Sequence, residues 1–205
     1  DTHWYWSYIV QTSATTPMDR TYTVTLPNIS PSAHTATLRV KLAGISSSST
    51  VNPDHHTQAY LGNSATYQAI DGTWDGSIAA LLSGGGIPSS SLVSGANTVK
   101  LRVPALPSGV TSDAFFLDWL EVDYRQAFTA VSNALAFNAP GGYAQYQITG
   151  FTGSAVGVYD ISDPTNPVRL TGTQTDGAGT LTFGDAPSAQ KYLALLLQSP
   201  SLLAP

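Results

Sequence analysis

Apolar and polar residues alternate with a period of two along most of the first 125 residues. Three runs, at residues 20–29, 34–44 and 97–103, show this pattern most clearly. Their apolar positions are Tyr22, Val24, Leu26, Ala36, Leu38, Val40, Leu42, Val99, Leu101 and Val103. Such alternation is typical of antiparallel strands that bury one face and expose the other. Gly, Asn, Asp and Pro clusters between the runs predict turns, and only residues 77–82 (SIAALL) suggest a helical turn.

A second group of strand-like runs follows residues 125–129. It comprises GYAQYQITGF, AVGVYDI, VRLTGT, TLTFG and QKYLALLLQ. The DPTNP segment at 163–167 predicts a turn or edge, because its prolines have no N–H to donate to a ladder. The sequence therefore predicts an all-β chain, in which a jelly-roll β-sandwich over residues 1–126 precedes a smaller antiparallel, immunoglobulin-like β-sandwich domain over residues 127–205. Leu202 and Leu203 belong to no predicted element, and the chain end is expected to be a junction with a further domain.

The amino-acid composition excludes several classes of function. Charged residues make up 10% of the 205 residues, and the formal net charge is −5. Eight Lys and Arg without a basic run exclude the concentrated positive face that nucleic acid requires. No apolar run approaches the roughly 20 residues that span a bilayer. The chain has no cysteine, which excludes a thiolate nucleophile, a disulfide and a Cys-ligated metal. Low charge and many hydroxyl side chains indicate an extracellular or cell-surface protein.

The run FFLDWLEVDYR, residues 115–125, places carboxylates on a predicted strand. Alternation assigns Phe116, Asp118 and Leu120 to the core face, so Asp118 is expected to point inward. A buried carboxylate needs donors, which predicts a structural role for Asp118, with a calcium or ligand contact as the alternative. Trp119 falls on the opposite face and is also assigned a structural role.

Glu121 and Asp123 share that opposite face at a separation of about 7 Å, a spacing found in inverting glycosidases. A flat strand face offers no cleft to raise the pKa of an acid, so catalysis is disfavoured. Cross-strand ion pairs explain the two carboxylates more simply. The candidate basic partners are Arg39, Lys41, Lys100 and Arg102.

Aromatic side chains suggest possible ligand contacts. In the DGTWDG segment, Trp74 lies between Asp71 and Asp75, and these three are the candidate sugar-binding residues. A tryptophan lid over one end of the sandwich is the favoured alternative for Trp74. The HWYWSY segment, residues 3–8, places Trp4, Trp6 and Tyr8 on one face; packing is favoured there over a sugar-binding ridge.

Histidine chemistry is weakly indicated. His55 and His56 would point to opposite faces of a strand, so they cannot bind one metal together. A site made by His55 with Asp54 or Asp71 stays open, although a surface histidine pair is the simpler interpretation. No nucleophile elbow, phosphate-binding loop or zinc spacing occurs. We therefore predict no catalytic residue, cofactor or metal, and a chain that is not itself an enzyme.

The order of several segments is distinctive. In chain order they are HHTQAYLGN, TWDG, L-x-x-GANTVKLRV, D-x-FFLDWLEVDYRQAF, LAFNAPGGYAQYQITGF, VGVYDISDPTNPVRL and KYLALLLQ. This order resembles the region upstream of the catalytic domain in gingipain-type cysteine peptidases, a family that includes the sortase of the type IX secretion system. The pair DWLEVDYR and YDISDPTNPVRL is the most specific part. Leu61-Gly62-Asn63 departs from the Leu-Asn-Gly usual in such modules.

The resemblance implies a galactose-binding-like jelly roll, a small β domain, and then a caspase-like peptidase domain with a His–Cys pair beyond residue 205. On this basis the chain would be a noncatalytic N-terminal region of a secreted cysteine peptidase, which packs on, chaperones or targets the peptidase domain of the same polypeptide. A carbohydrate-binding β-sandwich and a structural module of the cell surface are the alternatives.

Overall fold

The computed structural model describes residues 4–139, 142–185 and 190–197, which form two compact units. The first unit is Asp1–Ala127 and the second is Phe128–Pro205. The described residues contain fifteen β-strands and one short 3₁₀ turn, Ser89–Ser91. An all-β fold is thereby confirmed. Among the same residues, no helix has the length and apolar character needed to cross a membrane. Leu202 and Leu203 lie outside the described residues.

The first unit consists of eight strands in two four-stranded sheets. The strands are β1 (Ser7–Gln11), β2 (Met18–Leu26), β3 (Thr35–Gly44), β4 (His55–Gly62), β5 (Tyr67–Trp74), β6 (Ala79–Pro88), β7 (Gly95–Val103) and β8 (Asp113–Asp123). One sheet has the order β1-β8-β3-β6 and the other β2-β7-β4-β5. We call them the first and second sheets. Their strands pair antiparallel throughout.

The core of the first unit lies between these sheets. The first sheet contributes Leu38, Val40 and Leu42, and the second contributes Leu61 and Leu101, all of them buried. The period-two prediction is therefore confirmed for strands β3 and β7. Residues 79–82, expected to be part of a helical turn, instead begin strand β6, because their backbone pairs with β3. Pairing across the sheet outweighs the weak local helical preference of this segment.

A β-bulge changes the alternation within β8. Lys41 of β3 pairs with Trp119, but its neighbour Leu42 pairs with Leu117, so Asp118 is the extra residue. Before the bulge, Phe115 and Leu117 point into the core and are fully buried. The predicted core face was therefore wrong at Phe116, because a bulge shifts the side-chain alternation by one residue.

The second unit also consists of two sheets around a core. Its strands are β9 (Ala134–Asn138), β10 (Ala144–Ile148), β11 (Val156–Asp160), β12 (Val168–Arg169), β13 (Gln174–Thr175), β14 (Leu181–Asp185) and β15 (Lys191–Leu196). The sheet orders are β10-β14-β13 and β12-β11-β15-β9. Residues 161–167, which include DPTNP, connect β11 and β12 as an exposed turn, as predicted.

Four aromatic rings fill much of the second core: Phe137, Tyr146, Phe183 and Tyr192. Tyr192 is fully buried, and its hydroxyl donates to Asp185 at 2.5 Å. Burial, together with the hydrogen bond to the Asp185 carboxylate, raises the pKa of Tyr192 far above its usual value. The hydroxyl is therefore a permanent donor, a structural role at this position.

Candidate functional site

A buried histidine cluster lies at one end of the first unit. His55 begins strand β4 and Asp113 begins strand β8, and each is almost completely buried. Nδ1 of His55 lies 2.5 Å from Oδ1 of Asp113, and Nε2 lies 3.2 Å from the carbonyl oxygen of Ser46. The ring stacks on Trp74, the last residue of β5, with a centroid distance of 3.8 Å. We call these residues and Asp54 the His55 cluster.

The backbone of Gly44 packs closely against the two rings of the His55 cluster. Gly44, at the end of β3, lies beside the rings of Trp74 and His55. A Cβ at this position would lie 2.8 Å from the Trp74 ring and would also collide with the carbonyl of Gly76. Glycine is therefore required here, because any side chain would displace the stacked rings.

The electrostatics of the cluster favour a charged imidazole. Burial lowers the pKa of His55, but the hydrogen bond to Asp113 and the charges of Asp113 and Asp54 outweigh this effect, so its pKa is raised. Asp54 accepts hydrogen bonds from the backbone N–H groups of Ser48 and Gly76. Partial desolvation opposes these bonds, yet the pKa of Asp54 is lowered overall. The carboxylate of Asp54 thus connects the loop before β4 to the turn after β5.

The three candidate sugar-binding residues do not form one site. Trp74 is only 8% exposed, and His55 covers one face of its ring. The expectation that Trp74 sits on a turn is therefore wrong, because it pairs with His55 as the last residue of β5. Asp75 accepts a hydrogen bond from Asn52 at 2.8 Å, and Asp71 lies on the opposite, exposed face of the second sheet. Trp74 is instead part of the hydrophobic core between the two sheets.

Asp71 belongs to a separate surface cluster. His56 lies on the outer face of β4, and its Nε2 lies 2.5 Å from Oδ1 of Asp71. Gln58 and Gln68 donate to the other carboxylate oxygen at 3.2 and 3.0 Å. The hydrogen bond from His56 is the main reason that the pKa of Asp71 is lowered. As predicted, His55 and His56 point to opposite faces and cannot share a metal.

The two acidic residues on the outer face of β8 both lie close to one arginine of β3. Glu121 forms an ion pair with Arg39 of β3, its direct cross-strand partner, and Asp123 lies 4.0 Å from the same guanidinium. The predicted cross-strand pairing is therefore confirmed for Arg39. The two carboxylates are largely exposed on the outer face of the sheet, so they do not line a cleft that could enclose a substrate.

We expect Arg39→Ala to change the free energy of unfolding by less than about 1 kcal/mol, because exposed ion pairs contribute little. Urea denaturation at low and at physiological salt measures the change. A loss above about 2 kcal/mol would show that the pair has a larger structural role than its exposure indicates.

Asp118 and Trp119 lie at the bulge of β8. Asp118 is half-buried rather than in the core, and Trp119 is 37% exposed beside Lys41. The prediction that Asp118 points inward with Phe116 is corrected by the bulge, which gives the buried positions to Phe115 and Leu117. The structural roles assigned to Asp118 and Trp119 stay predictions.

An aromatic patch covers the outer face of the first sheet. Tyr8 pairs with Phe116, which pairs in turn with Ala43, so these side chains share one face. Tyr5 stacks on Phe116 with a centroid distance of 4.5 Å. We call this patch the aromatic face. Its members are Tyr5, Tyr8, Val10, Leu81, Phe116 and Trp119.

The N-terminal aromatic segment is more exposed than the favoured packing role implied. Trp4 is 86% exposed, and Tyr8 and Trp6 are each 53% exposed. Trp6 contacts Tyr22 of β2, whereas Tyr5 and Tyr8 both contact Phe116. Strand β1 begins only at Ser7, so the predicted alternation does not extend back to Trp4.

No metal centre emerges from the described residues, which contain no group of three or more His, Cys, Asp or Glu arranged to hold an ion. A surface hollow of about 390 Å³ is lined by residues 29–31, 33, 89, 90, 92 and 94. Its lining has no titratable side chain, so it offers no acid–base chemistry.

The sequence interpretation missed Asp113 as the partner of His55. A signal was present, because Asp113 is in phase with Phe115 and Leu117 and is therefore a polar residue on an inward position. The wrong face assignment for Phe116 concealed this signal. His55 itself was recognised only as a possible metal ligand with Asp54 or Asp71.

The fold and the site together define a chain of two β-sandwich units. No family model matches the sequence, and no curated protein matches it. A solved structure that the chain resembles is the crystal structure of dimeric latent PorU from Porphyromonas gingivalis, with a TM-score of 0.59 and 12% sequence identity. The match covers 95% of this chain and 20% of that chain, so this chain spans about a fifth of the solved protein. At this identity the likeness shows a shared fold.

Proposed function

We propose that the chain is a noncatalytic β-sandwich region of a secreted gingipain-like cysteine peptidase, which holds the peptidase domain of the same polypeptide through the aromatic face. The structural likeness to PorU is the observation that carries this proposal, because it extends over 95% of the chain. Both units are therefore included in one match. The order of sequence segments from HHTQAYLGN to KYLALLLQ also supports this relation.

The topology of the first unit supports the galactose-binding-like jelly roll within this proposal. Every consecutive pair of its strands except β4 and β5 passes from one sheet to the other. The resulting orders, β1-β8-β3-β6 and β2-β7-β4-β5, are those of eight strands wound as a double Greek key. In the proposed function this unit is a scaffold that presents one sheet face to its partner.

The composition of the aromatic face supports docking of a protein domain. Tyr8, Phe116 and Trp119 provide large rigid rings, which are enriched at interface hot spots. Leu81 is 55% exposed on the same face. Lys41 lies between Leu81 and Trp119, and no described residue forms an ion pair with it. A partner surface with apolar side chains around one carboxylate would complement this arrangement.

The first test is the reading frame of the source DNA beyond codon 205. We expect it to continue into an α/β domain that contains a histidine and a cysteine suited to peptidase chemistry. A stop codon directly after codon 205 would overturn the proposal. Peptide cleavage by the purified 205-residue chain would also overturn it.

The second test measures binding to the peptidase domain encoded by that frame. We expect the double variant Tyr8→Ser/Trp119→Ser to bind this domain at least about tenfold more weakly than the unaltered chain, because hot-spot aromatics are removed. Tyr143→Ser, which removes a 79% exposed tyrosine from the second unit, is the matched control and should not change the affinity. Circular dichroism verifies that each variant is folded, and isothermal titration calorimetry measures the dissociation constant.

Equal affinity of the double variant and the unaltered chain would show that the partner binds elsewhere. Binding of a glycan array by the aromatic face, lost in the double variant, would instead favour the carbohydrate-binding class.

A further inference from the structure

Both ring nitrogens of His55 face oxygen acceptors inside the protein. Nδ1 lies 2.5 Å from the Asp113 carboxylate, and Nε2 lies 3.2 Å from the Ser46 carbonyl. A neutral imidazole has one N–H donor, whereas an imidazolium has two. Because a carbonyl and a carboxylate can only accept, both contacts are hydrogen bonds only when the ring is charged.

The surroundings of the ring identify the groups that control its charge. Asp113 faces it from β8, and its second oxygen accepts the backbone N–H of His56 at 3.1 Å. Asp54 faces it from the residue before β4, with Oδ1 3.8 Å from Nε2. Trp74 covers one ring face from β5, and Phe115 of β8 approaches edge-on. The third nearby acid, Asp75, is hydrogen-bonded to Asn52.

The Ser46 carbonyl is held in place opposite Nε2. The backbone N–H of Ser46 donates to the carbonyl of Ala114 at 3.1 Å, and the Ser46 hydroxyl accepts the Ala114 N–H at 2.9 Å. The Ser77 hydroxyl lies 3.0 Å from the Ile45 carbonyl and 3.3 Å from the Ser46 carbonyl, so the two carbonyls share this donor. While residues 45–54 are closed, these bonds hold Ser46 against β8, so the Ser46 carbonyl can turn away from Nε2 only if this segment itself opens.

We propose that His55 is a buried pH-sensitive switch, whose doubly protonated ring holds residues 45–54 closed over one end of the first sheet. When the pH rises, the proton leaves Nε2, because Asp113 retains the proton on Nδ1. The lone pair of Nε2 then faces the fixed carbonyl of Ser46, and this repulsion loosens residues 45–54. The switch does not depend on the proposed function.

The direction of the pH dependence follows from the folded-state pKa values. The pKa of His55 is raised above 6.5, so its stabilising contribution is complete below pH 6.5 and is lost as the pH rises through the folded pKa. The pKa of Asp54 is lowered from 3.8, so its contribution is present above pH 3.8 and is lost as the pH falls through the folded pKa. Taken together, these two groups make their largest contribution between pH 3.8 and 6.5.

The switch can be tested on the unaltered chain by NMR. At pH 6 we expect both ring nitrogens of His55 to carry protons in ¹⁵N spectra, and Nε2 to lose its proton first as the pH is raised. Across that titration, amide exchange of residues 46–54 should increase about tenfold more than that of residues 97–103 in β7, because local opening is confined to the loop. Asp71→Asn, which alters the exposed pair of His56, is the control and should leave both observations unchanged.

A singly protonated His55 ring at pH 6 would overturn the proposal. The proposal would equally fail if Nε2 lost its proton while exchange in residues 46–54 rose only as much as in β7. Neither result depends on a variant that fails to fold.

Discussion

Phe115→Ala is expected to lower the free energy of unfolding of the first unit by about 3–5 kcal/mol. Phe115 is fully buried in the core and lies edge-on to the rings of Trp74 and His55. The alanine would leave a cavity beside two stacked rings that are held in place by β4 and β5. Because Phe115 pairs with Ile9 of β1 and Gly44 of β3 within a paired sheet, we expect the cavity to stay largely open and the cost to lie in the upper part of this range.

Tryptophan fluorescence during urea denaturation measures this effect in the first unit alone. All four tryptophans, at positions 4, 6, 74 and 119, precede residue 127. Leu81→Ala is the matched control, because Leu81 lies on the same sheet but points outward; its change should stay within about 0.5 kcal/mol. A similar small change for Phe115→Ala would contradict the assignment of Phe115 to the core.

The period-two pattern was sufficient to predict the all-β fold and much of the core. It succeeded at Leu38, Val40 and Leu101 because β7 pairs regularly and the extra residues in the pairings of β3 lie in β6 and β8, so β3 and β7 keep their own alternation. It failed within β8 because one inserted residue at Asp118 reverses the phase. A bulge depends on how two strands pair, and a single sequence contains little information about that pairing.

The candidate site was harder to predict because its contacts join distant positions. His55 and Asp113 are 58 residues apart, and only the packing of β4 near β8 brings them together. Trp74 looked like a turn residue because Asp-Gly dipeptides flank it, yet pairing with His55 extends β5 to include it. Local turn chemistry was outweighed by strand pairing and by stacking of the two rings.

The exposure of the aromatic face could not be predicted from the sequence for a different reason. Its rings come from β1, from β8 and from Tyr5 just before β1, and the sequence alone favoured packing for the HWYWSY segment. That expectation follows from the usual burial of aromatic residues. Tyr8 and Phe116 lie on the face of the first sheet that points away from the second sheet, so the core between the two sheets does not bury them. Such exposure of several large rings is typical of an interaction surface.

The second large effect is expected at the buried ion pair between His55 and Asp113. Asp113→Leu at pH 6 should lower the free energy of unfolding by about 3 kcal/mol or more, because it leaves His55 buried without its carboxylate partner. The backbone N–H of His56 also loses its acceptor. At pH 9 the cost should be smaller, since the raised pKa of His55 means that the unaltered chain loses part of the pair's contribution as the pH increases.

A double-mutant cycle separates the pair from these other losses. His55→Leu/Asp113→Leu removes both charges, so its cost at pH 6 should be about 2 kcal/mol less than the sum of the two single costs. Tryptophan fluorescence in urea, applied to all four proteins at both pH values, provides the coupling energy. We expect the coupling to decrease between pH 6 and pH 9, because only the protonated ring forms an ion pair with Asp113. Additive costs at pH 6, within about 0.5 kcal/mol, would show that the two side chains are neighbours without a stabilising charge interaction.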